Sequence, residues 1–178
     1  RHTTKTGESD FYLEDGSALK NGFMRTPIDG ARLSSNFGMR KHPIHKFTRM
    51  HRGVDFAAPR GTPIYAAGDG VITKMGFVGG YGRYVQIKHN AEFATAYAHM
   101  HRFGESLRVG SKVRQGQKIG EVGSTGSSSG CHLHYEVLRY GQQINPKSVK
   151  NVGGKKLEGS ELKTFLANIG SMNITLSN

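Results

Sequence analysis

A mainly β domain, built on an antiparallel sheet with one short helix near the C-terminus, is the fold the sequence predicts. Three observations carry it. Short β-prone runs recur between turn signals: Ile64–Ala67, Val71–Met75, Tyr84–His89 and Ala94–His99 are separated by Gly68-Asp69-Gly70, by Gly79-Gly80-Tyr81-Gly82 and by a turn at Asn90. Glycine makes up 25 of the 178 residues, about twice its usual frequency, which suits strands joined by tight turns. Apolar residues take helical spacing over Ser160–Ile169, with Ser160 placed to cap a helix and Gly170 to end it.

Taken in order, the chain opens with a polar stretch in which Phe11-Tyr12-Leu13 and Glu14-Asp15-Gly16 read as a short strand and turn. Pro27 and Gly30 mark a loop. A second loop carrying Arg40, His42, Pro43 and His45 leads into a strand over Met50–Phe56. Ala58–Pro63 is a turn, and the four strands named above follow. In Tyr84–His89, Val85 and Ile87 fall on one face, and Tyr84, Gln86 and Lys88 on the other. Leu107–Gly110 and Val113–Gly120 read as a hairpin with glycine turns. The Ser/Gly-rich loop Gly123–Gly130 then delivers the chain into Cys131–Val137, a strand by its alternation.

Composition narrows the function classes. No run of about 18 apolar residues occurs, so no membrane span is expected. No signal peptide is visible, and an opening at Arg1 without Met suggests a processed piece of a longer chain. The net charge of +12 points to an anionic partner: nucleic acid, an acidic membrane surface or an acidic polymer such as cell wall. The charges are scattered, with no long basic helix and no aromatic-studded RNA motif, so nucleic acid is not expected as a partner. A single cysteine, Cys131, excludes an internal disulfide and a Cys-rich structural zinc site. Its neighbour His132 leaves the opposite face of the strand, so the two make a poor nucleophilic pair, and Cys131 reads as a small packing residue.

Nine histidines invite a metal search. On the strand after Cys131, His132, His134 and Glu136 share one face, and Leu133, Tyr135 and Val137 the other. His51 and Asp55 are four residues apart, which on an extended strand also places them on one face. Either His132 or His134 would complete a His, Asp, His set suited to Zn²⁺ with one position open. A hydrolytic site also needs a group to take a proton and one to stabilise an oxyanion. His99, on a strand where it shares a face with Tyr97 and His101, and the spare member of the His132/His134 pair are the candidates.

These elements, in this order, resemble the lysostaphin-type, LytM-like zinc metallopeptidases that cleave peptidoglycan. The resemblance runs from about Phe11 to Pro146. It rests on Ser35-Asn36-Phe37-Gly38-Met39-Arg40-Lys41-His42-Pro43, His51-Arg52-Gly53-Val54-Asp55-Phe56-Ala57-Ala58-Pro59, Gly61-Thr62-Pro63, Tyr97-Ala98-His99, and Val122-Gly123-Ser124-Thr125-Gly126 ahead of His132-Leu133-His134-Tyr135-Glu136. The resemblance implies one Zn²⁺ held by His51, Asp55 and His134, with His99 and His132 as the catalytic pair. It implies a sheet whose groove is walled by loops, here residues 39–50, Gly79–Arg83 and Ser124–Gly130, and takes a cell-wall peptide. Arg40 and Tyr97 are the expected substrate contacts. Many members carry Pro where this chain has Cys131, and His101 is an extra histidine with no assigned role.

The implied activity is a zinc-dependent endopeptidase acting on peptidoglycan cross-links, at the D-Ala–diaminopimelate bond, with an interpeptide glycine bond as the other target. The implied setting is the periplasm or cell envelope. The alternative is a non-catalytic LytM-like domain that binds wall or activates another hydrolase; such members lack one or more of the five residues, and this chain has all five. Three regions are expected: a lead-in segment over 1–30 that ends an upstream module able to regulate the site, the peptidase domain over 31–150, and an extension with a short helix over 151–178.

Overall fold

The computed structural model describes residues 2–3, 9–10, 15–16, 23–24, 26–41, 48–149 and 157–175. The expected strand at Phe11–Leu13 and the loop residues 42–47, His42 and His45 among them, lie outside the described residues. The chain divides into two compact units, residues 24–149 and residues 1–23 with 150–178.

The smaller unit pairs β1 (His2–Thr3) with β2 (Ser9–Asp10) and carries helix α1 (Gly159–Thr175). Phe165 on this helix is buried, and the His2 ring meets it edge-on at 5.5 Å. The helix begins at Gly159, so Ser160 lies inside its first turn, and it runs through Gly170 instead of stopping there. An interior glycine costs only about 1 kcal/mol against alanine, a penalty that a helix of seventeen residues can carry.

In the larger unit the strands are β3 (Arg32–Ser35), β4 (Gly38–Lys41), β5 (Thr48–His51), β6 (Val54–Ala57), β7 (Pro63–Tyr65), β8 (Gly70–Val78), β9 (Gly82–Lys88), β10 (Phe93–Phe103), β11 (Lys112–Val113), β12 (Lys118–Val122), β13 (His132–Arg139) and β14 (Gln142–Ile144). β4 and β5 form a separate hairpin. The other ten make one sheet in which every pairing is antiparallel, with the path β11-β8-β9-β10-β13-β6-β3. The predicted fold class is borne out. The predicted hairpin of Leu107–Gly110 with Val113–Gly120 does not form: β11 pairs with β8, and β12 pairs with β10 and β7. Local turn signals cannot tell a hairpin from two strands that find separate, more buried edges.

Alternation along the central strands sets the core. Val85, Ile87, Tyr97, Leu133, Tyr135 and Val137 are all buried. The opposite face of the sheet is covered as well, where Tyr84, Ala96, Ala98 and Leu138 cluster. On that second face the small Ala98 and Ala96 lie directly across from His134 and Glu136, which leaves room above the sheet for imidazole and carboxylate groups.

Candidate active site

β6 lies beside β13 with Asp55 directly opposite His134. Cross-strand partners hold their Cβ atoms about 5 Å apart, and here Asp55 Oδ1 comes within 2.8 Å of His134 Nδ1. His51 comes from the end of β5. The expected single strand over Met50–Phe56 is broken at Arg52-Gly53, and the kink turns His51 back over Asp55. Glycine is required at the kink, because a Cβ on Gly53 would lie 2.6 Å from the carbonyl oxygen of Tyr135. His51 Nε2 then stands 3.0 Å from Asp55 Oδ1 and 3.1 Å from His134 Nδ1.

His51, Asp55 and His134 thus offer three ligand atoms facing one point, the set in which a metal could be held among the described residues. Tetrahedral Zn²⁺ with nitrogen ligands at 2.0–2.1 Å spaces those ligands roughly 3.3 Å apart, so the observed 2.8–3.1 Å triangle is of the right kind and would open by a few tenths of an ångström to hold such an ion. The outer nitrogens are fixed too. His51 Nδ1 donates to the carbonyl of Asn36 at 2.7 Å. His134 Nε2 lies 3.1 Å from the buried carboxylate of Glu136, which also accepts from the Tyr81 hydroxyl at 2.9 Å. Such outer partners set tautomer and ring orientation at metal sites.

Electrostatics follow from this crowding. Burial alone would raise the Asp55 carboxyl, but hydrogen bonds from His134, His51 and Arg40 outweigh it and hold the group far below the usual carboxylate range. Burial would likewise lower His134, yet Asp55 and Glu136 raise it to about 9. The Tyr81 phenol, buried beside Glu136, is pushed up to about 12, so it stays a donor.

His99 and His132 form the rim. Their ring centroids are 4.6 Å apart, and His99 is 5.9 Å from His134. His99 Nδ1 lies 2.8 Å from the carbonyl oxygen of Thr125, and His132 Nδ1 lies 2.8 Å from that of Gly130. A carbonyl can only accept, so in both neutral rings the proton sits on Nδ1 and Nε2 keeps its lone pair. His132 Nε2 is 3.9 Å from Asp55 Oδ1, directed at the metal-ligand triangle. Burial pushes His99 below the ordinary imidazole value, partly opposed by its bond to Thr125.

Strand alternation placed Tyr97, His99 and His101 on one face, and the structure corrects this. Tyr97 pairs across from Tyr135 on the core face, and its hydroxyl accepts from Ala67 N at 2.7 Å and contacts Thr95 Oγ1 at 2.9 Å. It is wholly buried and is a core residue, not a groove contact. Between Tyr97 and Met100 the register with β9 shifts, and His99 takes φ 59°. That left-handed backbone swings its side chain to the site face. Arg40, the other expected substrate contact, donates from Nη2 to Asp55 Oδ2 at 2.9 Å, and the same nitrogen abuts His51 Nδ1.

Sequence reasoning gave no role to Glu136, Asn36 or Gly53, and placed Tyr81 and Thr125 only within the expected wall loops. Glu136 had a signal, since it continues the His132-x-His134 alternation. Asn36 and Thr125 act on histidines through main-chain carbonyls and leave no side-chain signature.

Two imidazoles and a carboxylate around one point, rimmed by two imidazoles with free Nε2 atoms on an antiparallel sheet, define a metal-centred hydrolase type of site. The model of peptidase family M23 matches residues 49–146. The chain belongs to this family. Among its relatives, the peptidoglycan DD-endopeptidase ShyC of Vibrio cholerae is 43% identical over 160 residues, 89% of this chain and 36% of that protein. The DD-carboxypeptidase/endopeptidase Mpg of Neisseria meningitidis is 50% identical over 138 residues, 76% of this chain and 31% of that protein. The chain therefore spans about a third of the length of these curated relatives. Among solved structures, a zinc-containing peptidase from Vibrio cholerae superposes with a TM-score of 0.69 at 34% identity, over 79% of this chain and 46% of that one. The catalytic domain of lysostaphin from Staphylococcus simulans superposes with a TM-score of 0.60 at 28% identity, over 67% of this chain and 91% of that one.

Proposed function

We propose that this chain carries the catalytic portion of a zinc-dependent endopeptidase that hydrolyses peptide cross-links of bacterial peptidoglycan in the periplasm or cell envelope, at the D-Ala–diaminopimelate bond. The observation that carries the reading is the convergence of His51, Asp55 and His134 beside two histidines whose Nδ1 atoms are tied to main-chain carbonyls, with His132 Nε2 3.9 Å from Asp55 Oδ1. The names of the relatives above support the substrate class. On this reading residues 31–150 are the peptidase domain, with 1–30 the end of an upstream module that could regulate it and 151–178 an extension.

His51, Asp55 and His134 would hold one Zn²⁺, oriented by the Asn36 carbonyl, Arg40 and Glu136. Zinc in such a site is a Lewis acid that polarises a carbonyl and acidifies water. His132, nearer the ligand triangle, accepts a proton at Nε2 and passes it toward the leaving amine. His99, neutral with its lone pair at Nε2, would accept a hydrogen bond from the attacking water and orient it beside His132. Arg40 acts by fixing the Asp55 carboxylate, since its Nη2 is already engaged there.

Metal analysis beside digestion of purified muropeptides tests the assignment. His134→Ala is expected to lose zinc and activity together, and His99→Ala to keep zinc while turnover falls by about 10²–10⁴. Full activity in His99→Ala would sink the division of roles.

A further inference from the structure

Beside the two rim histidines lies a cleft of about 240 Å³, lined by Arg60, Arg83, His101, Ser124, Thr125 and Cys131. None of its lining groups is acidic, and among the described residues neither Arg60 nor Arg83 has a carboxylate within ion-pair reach. The Nη2 of Arg60 lies 3.0 Å from Nδ1 and 3.5 Å from Nε2 of His101, so the imidazole holds this guanidinium at the cleft wall. The cleft therefore gathers two guanidinium groups with no carboxylate partner among the described residues, beside the Thr125 and Ser124 hydroxyls whose protons are already given to the Met100 carbonyl and to Ser128 Oγ; the guanidinium pair is what attracts an anion, and it suits a planar carboxylate best.

The cleft and the catalytic pair share a wall. Thr125 lines the cleft with its side chain and holds His99 with its carbonyl. Cys131 lines it and precedes His132, at the roughly 3.8 Å spacing of consecutive Cα atoms. Whatever occupies the cleft thus lies against the segments that hold His99 and lead into His132.

We propose that this cleft is a specificity subsite for a free α-carboxylate on the residue that leaves as the amine. The inference rests on the endopeptidase reading above and deepens it. In a D-Ala–diaminopimelate cross-link the carbon bearing the scissile nitrogen also bears a carboxylate, whose carbon is about 2.5 Å from that nitrogen. A pentapeptide ending in D-Ala presents the same group when its last residue is released. Hydrolysis in either case consumes water, breaks the C–N bond and frees an α-amino carboxylate, so one subsite serves both leaving residues. A glycine cross-bridge, whose leaving residue has its carboxyl tied in the next peptide bond, offers nothing to it.

The test measures kcat/KM on matched substrates: a cross-linked dimer with the diaminopimelate α-carboxylate free or amidated, and a pentapeptide ending in D-Ala acid or D-Ala amide. The wild-type enzyme is expected to prefer the free carboxylate by about tenfold or more, since hydrogen bonds to charged groups are worth that much. The preference collapses toward unity in Arg83→Gln and in Arg60→Gln, and persists in Arg108→Gln, a control with the same loss of charge on an exposed loop. Discrimination in either arm supports the subsite, and the arm that shows it identifies the leaving residue. Equal cleavage of acid and amide overturns the subsite while leaving the endopeptidase reading intact. If no substrate is cleaved, the endopeptidase reading fails, and calorimetric binding of the free leaving peptides decides the subsite: about tenfold tighter for acid than amide upholds it, and equal binding overturns it.

Discussion

Gly53 and the imidazole of His134 contend for the same space: a Cβ on Gly53 would stand 2.7 Å from Cε1 and 2.8 Å from Nε2 of the ring. The glycine is therefore a steric requirement of the His134 position, and with it of the proposed ligand set. Gly53→Ala is expected to displace the His134 ring and strip the metal, with an overpacking cost of about 1–3 kcal/mol. Zinc content beside thermal unfolding checks this, and a variant with full zinc and an unchanged Tm would refute it.

Glu136 is expected to tune the site without touching substrate. It holds His134 Nε2 from a fully buried position and is itself held by Tyr81. Glu136→Gln is expected to weaken metal affinity by about 10–100-fold. Competition with a chelator of known affinity measures it.

Tyr97 is expected to matter for stability and not for substrate recognition. Tyr97→Phe leaves the buried amide of Ala67 without its acceptor, a loss of about 1–3 kcal/mol. Denaturant unfolding should register it, while KM for muropeptides stays at the wild-type value. A raised KM at unchanged stability would restore Tyr97 to the groove.

The pH behaviour of His99 follows from its burial. Desolvation lowers its pKa, so the neutral ring persists to more acidic pH than a free imidazole, and protonation sets in only below about 6.5. Following its ring protons by NMR in the zinc-loaded enzyme should give a midpoint under that value. A midpoint at or above it would contradict the structure.

Much of the site was legible in the sequence because strand alternation is rigid. His132, His134 and Glu136 had to share a face, and they do. What alternation could not give is where it breaks. The left-handed turn at His99 and the kink at Arg52-Gly53 each move one histidine into the site, and each depends on partners distant in sequence. Tyr97 was misplaced for the same reason, since it lies just before the break. The edges chosen by β11 and β12 were also beyond reach, because pairing is decided by which open edge buries the strand.

The backbone of His99 has a consequence for any effort to harden this fold. A non-glycine residue at φ 59° costs about 1–3 kcal/mol that the surrounding sheet must offset. Glycine at this position would relax the chain and remove the imidazole in a single step. Selection for heat resistance alone would therefore drift toward a sturdier protein without this imidazole, and a screen must score the proposed turnover alongside melting to keep the two from parting at this residue.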